Sequence, residues 1–182
     1  MRALLIGIAV LSMGPLYALT SLGTAYAEPV SNTITVEPLA LILTRTIALE
    51  YERTLSDTVS LFVAPSFTTG SVTSGDNNAD FLSLGASAGV RFYLTEPAPA
   101  GLFLNPLVQV AWASGSRDDV SGTGVGWSAG GLVGYAWVLS NTFDLSVGLG
   151  AAYYRLDLDV DGETFDDAGI QPLGRLAVGV AF

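Results

Sequence analysis

Along residues 33–182 apolar side chains return at every second position, in runs of about ten residues, and a helical period is nowhere sustained. Successive side chains of a strand point to opposite faces, so each run presents one apolar face and one small or polar face. In the clearest run Leu82, Leu84, Ala86, Ala88, Val90, Phe92 and Leu94 share a face, and Ser83, Gly85, Ser87, Gly89 and Arg91 occupy the other. That apolar face is longer than the roughly 9–11 residues a tilted strand needs to cross a bilayer. Half of the residues are apolar, yet past the N-terminus no apolar stretch reaches the roughly 18 residues of a spanning helix. The hydrophobicity is therefore spread over alternate positions.

The period predicts eight strands, at 33–43, 45–55, 59–69, 81–94, 102–114, 125–139, 143–156 and 170–182. Their connections alternate in length. Short ones lie near Ser56-Asp57-Thr58, at 95–101 and at Ser140-Asn141-Thr142, whereas 70–80, 115–124 and 157–169 are longer and polar. Small barrels of bacterial outer membranes show this asymmetry, with short periplasmic turns and longer external loops. Only the first connection, around Thr44, is too tight for the external set. In the second run Ile47, Leu49 and Tyr51 face away from Thr46, Ala48, Glu50 and Glu52; in the sixth, Val125, Trp127, Ala129, Val133, Tyr135 and Trp137 alternate with Gly126, Ser128, Gly130 and Gly134. Bulky residues outside and small ones inside suit a narrow lumen. Trp112, Trp127, Trp137, Tyr51, Tyr93, Tyr153 and Phe143 fall mostly near strand ends, where aromatic rings favour a membrane–water boundary.

Met1-Arg2, the apolar run that follows and Ala25-Tyr26-Ala27 read as a secretory signal cleaved after residue 27, which leaves 28–182 as one barrel domain. A net charge of −10, with no lysine among seven basic residues, argues against a nucleic-acid partner. Without cysteine there is neither a disulfide nor a lipoprotein attachment thiol.

In the last run Leu176, Val178, Val180 and Phe182 form one apolar face that ends at the final residue. This closing strand resembles the signal that bacterial outer-membrane barrels present to their assembly machinery, with Phe182 as its terminal element. Over residues 33–182 the pattern resembles the small OmpA/OmpX-type barrels. The resemblance implies an all-β, closed antiparallel up-and-down transmembrane β-barrel of eight strands, localised to the outer membrane. Its expected partners are outer-membrane lipid, lipopolysaccharide and the barrel assembly machinery, and the expected state is a monomer.

Several motifs invite chemistry. Gly85-Ala86-Ser87-Ala88-Gly89 has the letters of a nucleophile elbow, but the chain contains no histidine to serve as its base. Gly124-Val125-Gly126-Trp127-Ser128-Ala129 has the letters of a dinucleotide fingerprint, yet an aromatic strand follows where a helix is required. Asp157, Asp159 and Asp161 before Gly162 reproduce the first half of an EF-hand loop and are a candidate weak Ca²⁺ or Mg²⁺ site, while position twelve is Ala168 instead of a bidentate glutamate. Glu50, Glu52, Arg91 and Arg175 all fall on lumen-facing positions, where charges need partners, so they are expected to form one internal network with a structural role. No catalytic residue and no other cofactor is expected. These features describe a non-enzymatic outer-membrane barrel with a structural or surface-interaction role. A small ion or solute channel and a soluble periplasmic carrier of an apolar ligand are the alternatives.

Overall fold

The computed structural model describes residues 30–74, 77–117, 120–160 and 163–182, with the backbone alone at 71–80, 116–121 and 160–163 where these overlap. The expected signal segment, residues 1–27, lies outside the described residues. Eight antiparallel strands form one ring-like up-and-down sheet: β1 Asn32–Val36, β2 Thr46–Ser56, β3 Val59–Ser74, β4 Asn77–Tyr93, β5 Gly101–Arg117, β6 Val120–Leu139, β7 Phe143–Val160 and β8 Glu163–Ala181. The ring closes where β1 pairs with β8, Thr33 opposite Ala181 and Val36 opposite Val178. The start of β1, the end of β8 and the β2–β3, β4–β5 and β6–β7 turns lie at one end, called here the terminal end. The β3–β4, β5–β6 and β7–β8 hairpins form the other, the hairpin end.

Following paired residues once around the ring leads from Val178 through Val36 and Leu49 back to Ala168, an offset of ten residues. With eight strands at ordinary spacing, that offset corresponds to a strand tilt of about 40° and a lumen that one layer of side chains nearly fills.

Two expectations require correction. The first predicted strand, 33–43, is a strand of only five residues followed by a helix, α1 Pro38–Thr44. Its alternation ends in Leu39-Ala40-Leu41-Ile42-Leu43, which lacks a polar face, and Pro38 at the first turn is preorganised for a helix and has no N–H to lose there. Arg45, at φ 53°, ends α1 in the left-handed conformation. The segments 70–80, 115–124 and 157–169 are also not loops over most of their length, because the strands continue into them. Gly70 pairs with Phe81, Gly115 with Gly122 and Asp157 with Asp166. Main-chain pairing needs no apolar alternation, so the ladder outlasts the pattern that revealed it.

The two faces differ in character. Thr33, Thr35, Glu50, Glu52, Ser60, Arg91, Asn105, Ser128, Asp144, Ser146 and Arg175 are buried inside the ring. Leu49, Leu61, Val63, Leu84, Val108, Val110, Val125, Val133 and Leu149 are exposed on its outside.

Because β1 stops at Val36, β8 has no strand partner on that side over residues 163–177 among the described residues. The N–H of Phe182 points to β1 and that of Ala181 to β7, so even-numbered residues of β8 direct their main-chain groups toward the missing neighbour. Pro172, which has no N–H, falls in that set, as expected for a strand edge. Helix α1, about 10 Å long by its residue count, stands in this gap and touches both β2 and β8. None of its residues is buried.

A Cβ at Gly179 would fall on the backbone of Ile34 and Thr35, whereas one at Gly174 would meet nothing within 4 Å. Gly179→Val should therefore destabilise the β1–β8 seam by about 2–3 kcal/mol. Gly174→Val should be nearly neutral. Urea unfolding of the two variants side by side checks the difference.

Candidate functional site

Glu50, Glu52, Arg91 and Arg175 come together in one buried network that crosses the lumen. Alternation on β2 turns Glu50 and Glu52 inward; Arg91 reaches them from β4 and Arg175 from β8. The Arg91 Nη2 donates to both Glu50 oxygens at 2.8 and 2.7 Å, and its Nη1 donates to Glu52. Arg175 approaches the same Glu50 from the opposite wall, at 2.9 Å through Nη1 and 2.8 Å through Nη2. Glu50 thus lies between two guanidinium groups while only 4% exposed. Buried charges persist in such a site because each is paired with an opposite charge and hydrogen-bonded.

Further residues complete the network. Glu52 also accepts from the hydroxyls of Ser60 and Tyr93, the latter at 2.7 Å. Arg175 donates to Ser146 at 3.0 Å and to Glu37 at 3.1 Å. The Arg91 guanidinium lies over the Phe62 and Phe103 rings, 4.8 and 5.2 Å from their centroids, an arrangement that favours a cation. Tyr93, expected among the boundary aromatics, is instead turned inward: its odd position on β4 shares the Arg91 face, and its hydroxyl needs the Glu52 partner. Glu37, Ser60, Phe62 and Ser146 were legible as members only through lumen-facing parity, as was Asp144, buried in the same lumen. Glu37 continues the Thr33, Thr35 alternation, and Asp144 and Ser146 share a face of β7.

Toward the terminal end the lumen is packed by Tyr93, Ala98, Phe103, Leu132 and Ala136. The β4–β5 turn contributes to this seal, for the Ala98 N–H donates to Asp57 across the end of the ring. Toward the hairpin end the network is the floor of a cavity of about 380 Å³. Ala48, Ala64, Leu107, Leu156 and Leu173 give it apolar walls, with Ser66, Asn105, Gln109, Ser128 and Gln171 as interspersed polar groups. Ser128 donates to Gln109 at 2.9 Å.

The acidic candidate is placed differently from an EF-hand loop. Asp157 and Asp159 sit two residues apart on β7, paired with Asp166 and Thr164 of β8, and Asp161 lies outside the described residues. Asp157 is half-exposed and pairs with Arg155 at 3.4 Å. Among the described residues no three histidine, cysteine or acidic side chains gather as a metal-binding set. Phe182 projects outward at the foot of the seam, where its main-chain N–H and C=O both bond to Asn32 of β1.

No family model matches this chain, and no curated protein matches its sequence.

Removal of the central carboxylate leaves two buried guanidinium groups without their shared partner. Glu50→Ala should lower unfolding stability by about 3–5 kcal/mol. Glu37→Ala, whose side chain is 29% exposed, should cost about 1 kcal/mol or less. Denaturant titrations followed by tryptophan fluorescence measure both.

Proposed function

We propose that this protein is an integral outer-membrane barrel, with its hairpin end outside the cell and its terminal end in the periplasm, serving a non-enzymatic structural or surface-interaction role. The observation that carries this reading is the distribution of polarity: a charged and hydroxyl-rich network lies inside the ring among apolar side chains such as Phe62, Phe103 and Leu132, and large apolar side chains cover the outside. A soluble carrier of an apolar ligand would need a polar outer surface, because exposing such a continuous apolar surface to water is unfavourable.

The outer surface is also banded. Trp112, Trp127 and Tyr153 lie toward the hairpin end, with the Trp127 and Tyr153 rings 5.8 Å apart. Tyr51, Phe143 and Phe182 lie toward the terminal end. Tyr153 and Phe143 are ten residues apart on β7. At a tilt of about 40° this separation is about 25 Å along the ring axis, the height of the apolar band on transmembrane barrels. Beyond Tyr153 the outer face becomes charged, with Arg155, Asp157 and Asp159. The packed terminal half of the lumen favours a scaffold over a through-going conduit, and the acidic β7–β8 hairpin is suited to meet the lipopolysaccharide layer.

One substitution separates bilayer from water. Val108 faces outward opposite Ala88, midway along the apolar band. If lipid surrounds it, Val108→Arg should cost about 2–4 kcal/mol; on a water-exposed surface the change would stay within about 0.5 kcal/mol. The wild-type protein should fractionate with outer membrane and migrate differently on gels before and after boiling. Extraction into aqueous buffer without detergent would overturn the proposal.

A further inference from the structure

We propose that the lumen cavity above the Glu50–Arg175 floor binds one uncharged, mainly aliphatic molecule with a single hydrogen-bonding end, taken from the bilayer through the gap between β2 and β8. This inference rests on the membrane reading above and assigns a ligand class to the same barrel.

Three features support it. First, the cavity of about 380 Å³ lies within the size range of small-molecule sites, and eight-stranded barrels are just wide enough to hold one small ligand. Ala48, Ala64, Leu107, Leu156 and Leu173 would line an alkyl chain, and Asn105, Gln109 or Gln171 would meet its polar end. An alkyl chain gains little by leaving lipid for another apolar surface. What the cavity adds is the hydrogen bond at its polar end, together with release of water from against its aliphatic walls.

Second, the cavity reaches both banks of the wall opening. Thr46 and Ala48 of β2, and Gln171, Leu173 and Gly174 of β8, belong to its lining, as does Glu37 at the foot of α1. At this height no strand lies between β2 and β8 among the described residues. The cover is α1, a short helix without buried residues whose Leu41 and Ile42 are 51% and 76% exposed. A segment held by so few buried contacts opens at low free-energy cost.

Third, charge excludes acids. Three carboxylates, Glu37, Glu50 and Glu52, already engage the two buried guanidinium groups, and a fourth acidic residue, Asp144, is buried in the same lumen. A carboxylate or phosphate reaching the cavity floor would enter an acidic field in which both buried guanidinium groups are already paired, and Arg155, the other arginine of the lining, is half-exposed and pairs with Asp157. An alcohol or an amide meets no such barrier.

The absence of native cysteine permits a direct test in phosphatidylcholine nanodiscs. The thiol introduced by Ala48→Cys faces the cavity, and its rate of reaction with methyl methanethiosulfonate reports whether the site is filled. Decan-1-ol dissolved in the bilayer should slow that reaction about ten-fold once it exceeds its Kd by a factor of about ten. Decanoate at equal membrane concentration should leave the rate unchanged. An unaltered rate with decan-1-ol overturns the proposal, and equal protection by decanoate overturns the assignment to uncharged ligands. Gly174→Trp adds bulk over the opening at a position with free space outside. In stopped-flow mixing it should delay the onset of protection about ten-fold, and an unchanged onset eliminates entry between β2 and β8. Val108→Cys serves as the control for the membrane reading. If its thiol reacts readily with a charged, membrane-impermeant methanethiosulfonate, the envelope assignment fails. If it resists that reagent while position 48 is unprotected, only the ligand inference fails.

Discussion

Closing eight strands with a ten-residue offset fixes the radius of the ring, and the radius determines which side chains the interior can hold. A lumen of that width has no room for two facing hydrophobic layers. It accommodates side chains reaching across from opposite walls, and arginine and glutamate are long enough to meet in the middle. Arg91 from β4 and Arg175 from β8 therefore converge on one Glu50 carboxylate. Hydroxyls of Ser60, Ser146 and Tyr93 take up further hydrogen-bonding capacity, while the buried Arg91 Nε has no partner among the described residues. Such a network gains little over a well-packed apolar filling of equal volume, but it is unforgiving of partial removal, which makes it a device for specifying one arrangement of the wall.

Much of this was legible in the sequence because one variable, the parity of a position within its strand, sets both outer and inner faces. Parity places Leu82 through Leu94 outside and Glu50, Glu52, Arg91 and Arg175 inside before any contact is known. It fails where main-chain geometry and side-chain pattern part company. At Pro38–Thr44 the residues are apolar on all sides, so alternation has nothing to distinguish, and proline with the leucine-rich run selects a helical turn. In the hairpins the side chains on both faces are polar, so the pattern vanishes while hydrogen bonding continues, as in the pairing of Asp159 with Thr164. Tyr93 misled for a related reason. An aromatic ring near a strand end suits a boundary, but its odd position and hydroxyl placed it beside Glu52. The cavity left no local signal, since its shape depends on residues from seven strands at once.

The division of the lumen into a packed half and an open half has its own cause. At the terminal end Phe103, Tyr93 and the β4–β5 turn supply bulk. Toward the hairpins the inward positions are held by small residues such as Ala48, Ala64, Ser66 and Ser87. Small inward residues leave volume unfilled at constant radius. The open half is also where β1 has ended, so the emptiest part of the interior coincides with the least continuous part of the wall.

The seam between β1 and β8 has a kinetic consequence. Its partners, Thr33 and Ala181, lie almost the full length of the described chain apart, while every other strand pair joins neighbours in sequence. Hairpins can form early and locally, but the last ladder must await the final strand and bear the loop-closure entropy of nearly the whole polypeptide. With only four ladder pairs and the Asn32–Phe182 main-chain bonds at that seam, the sheet before closure is an open ribbon with two bare margins. Assembly thus ends in a single zipping event, and an arrested intermediate would expose the margins most prone to pair with another copy.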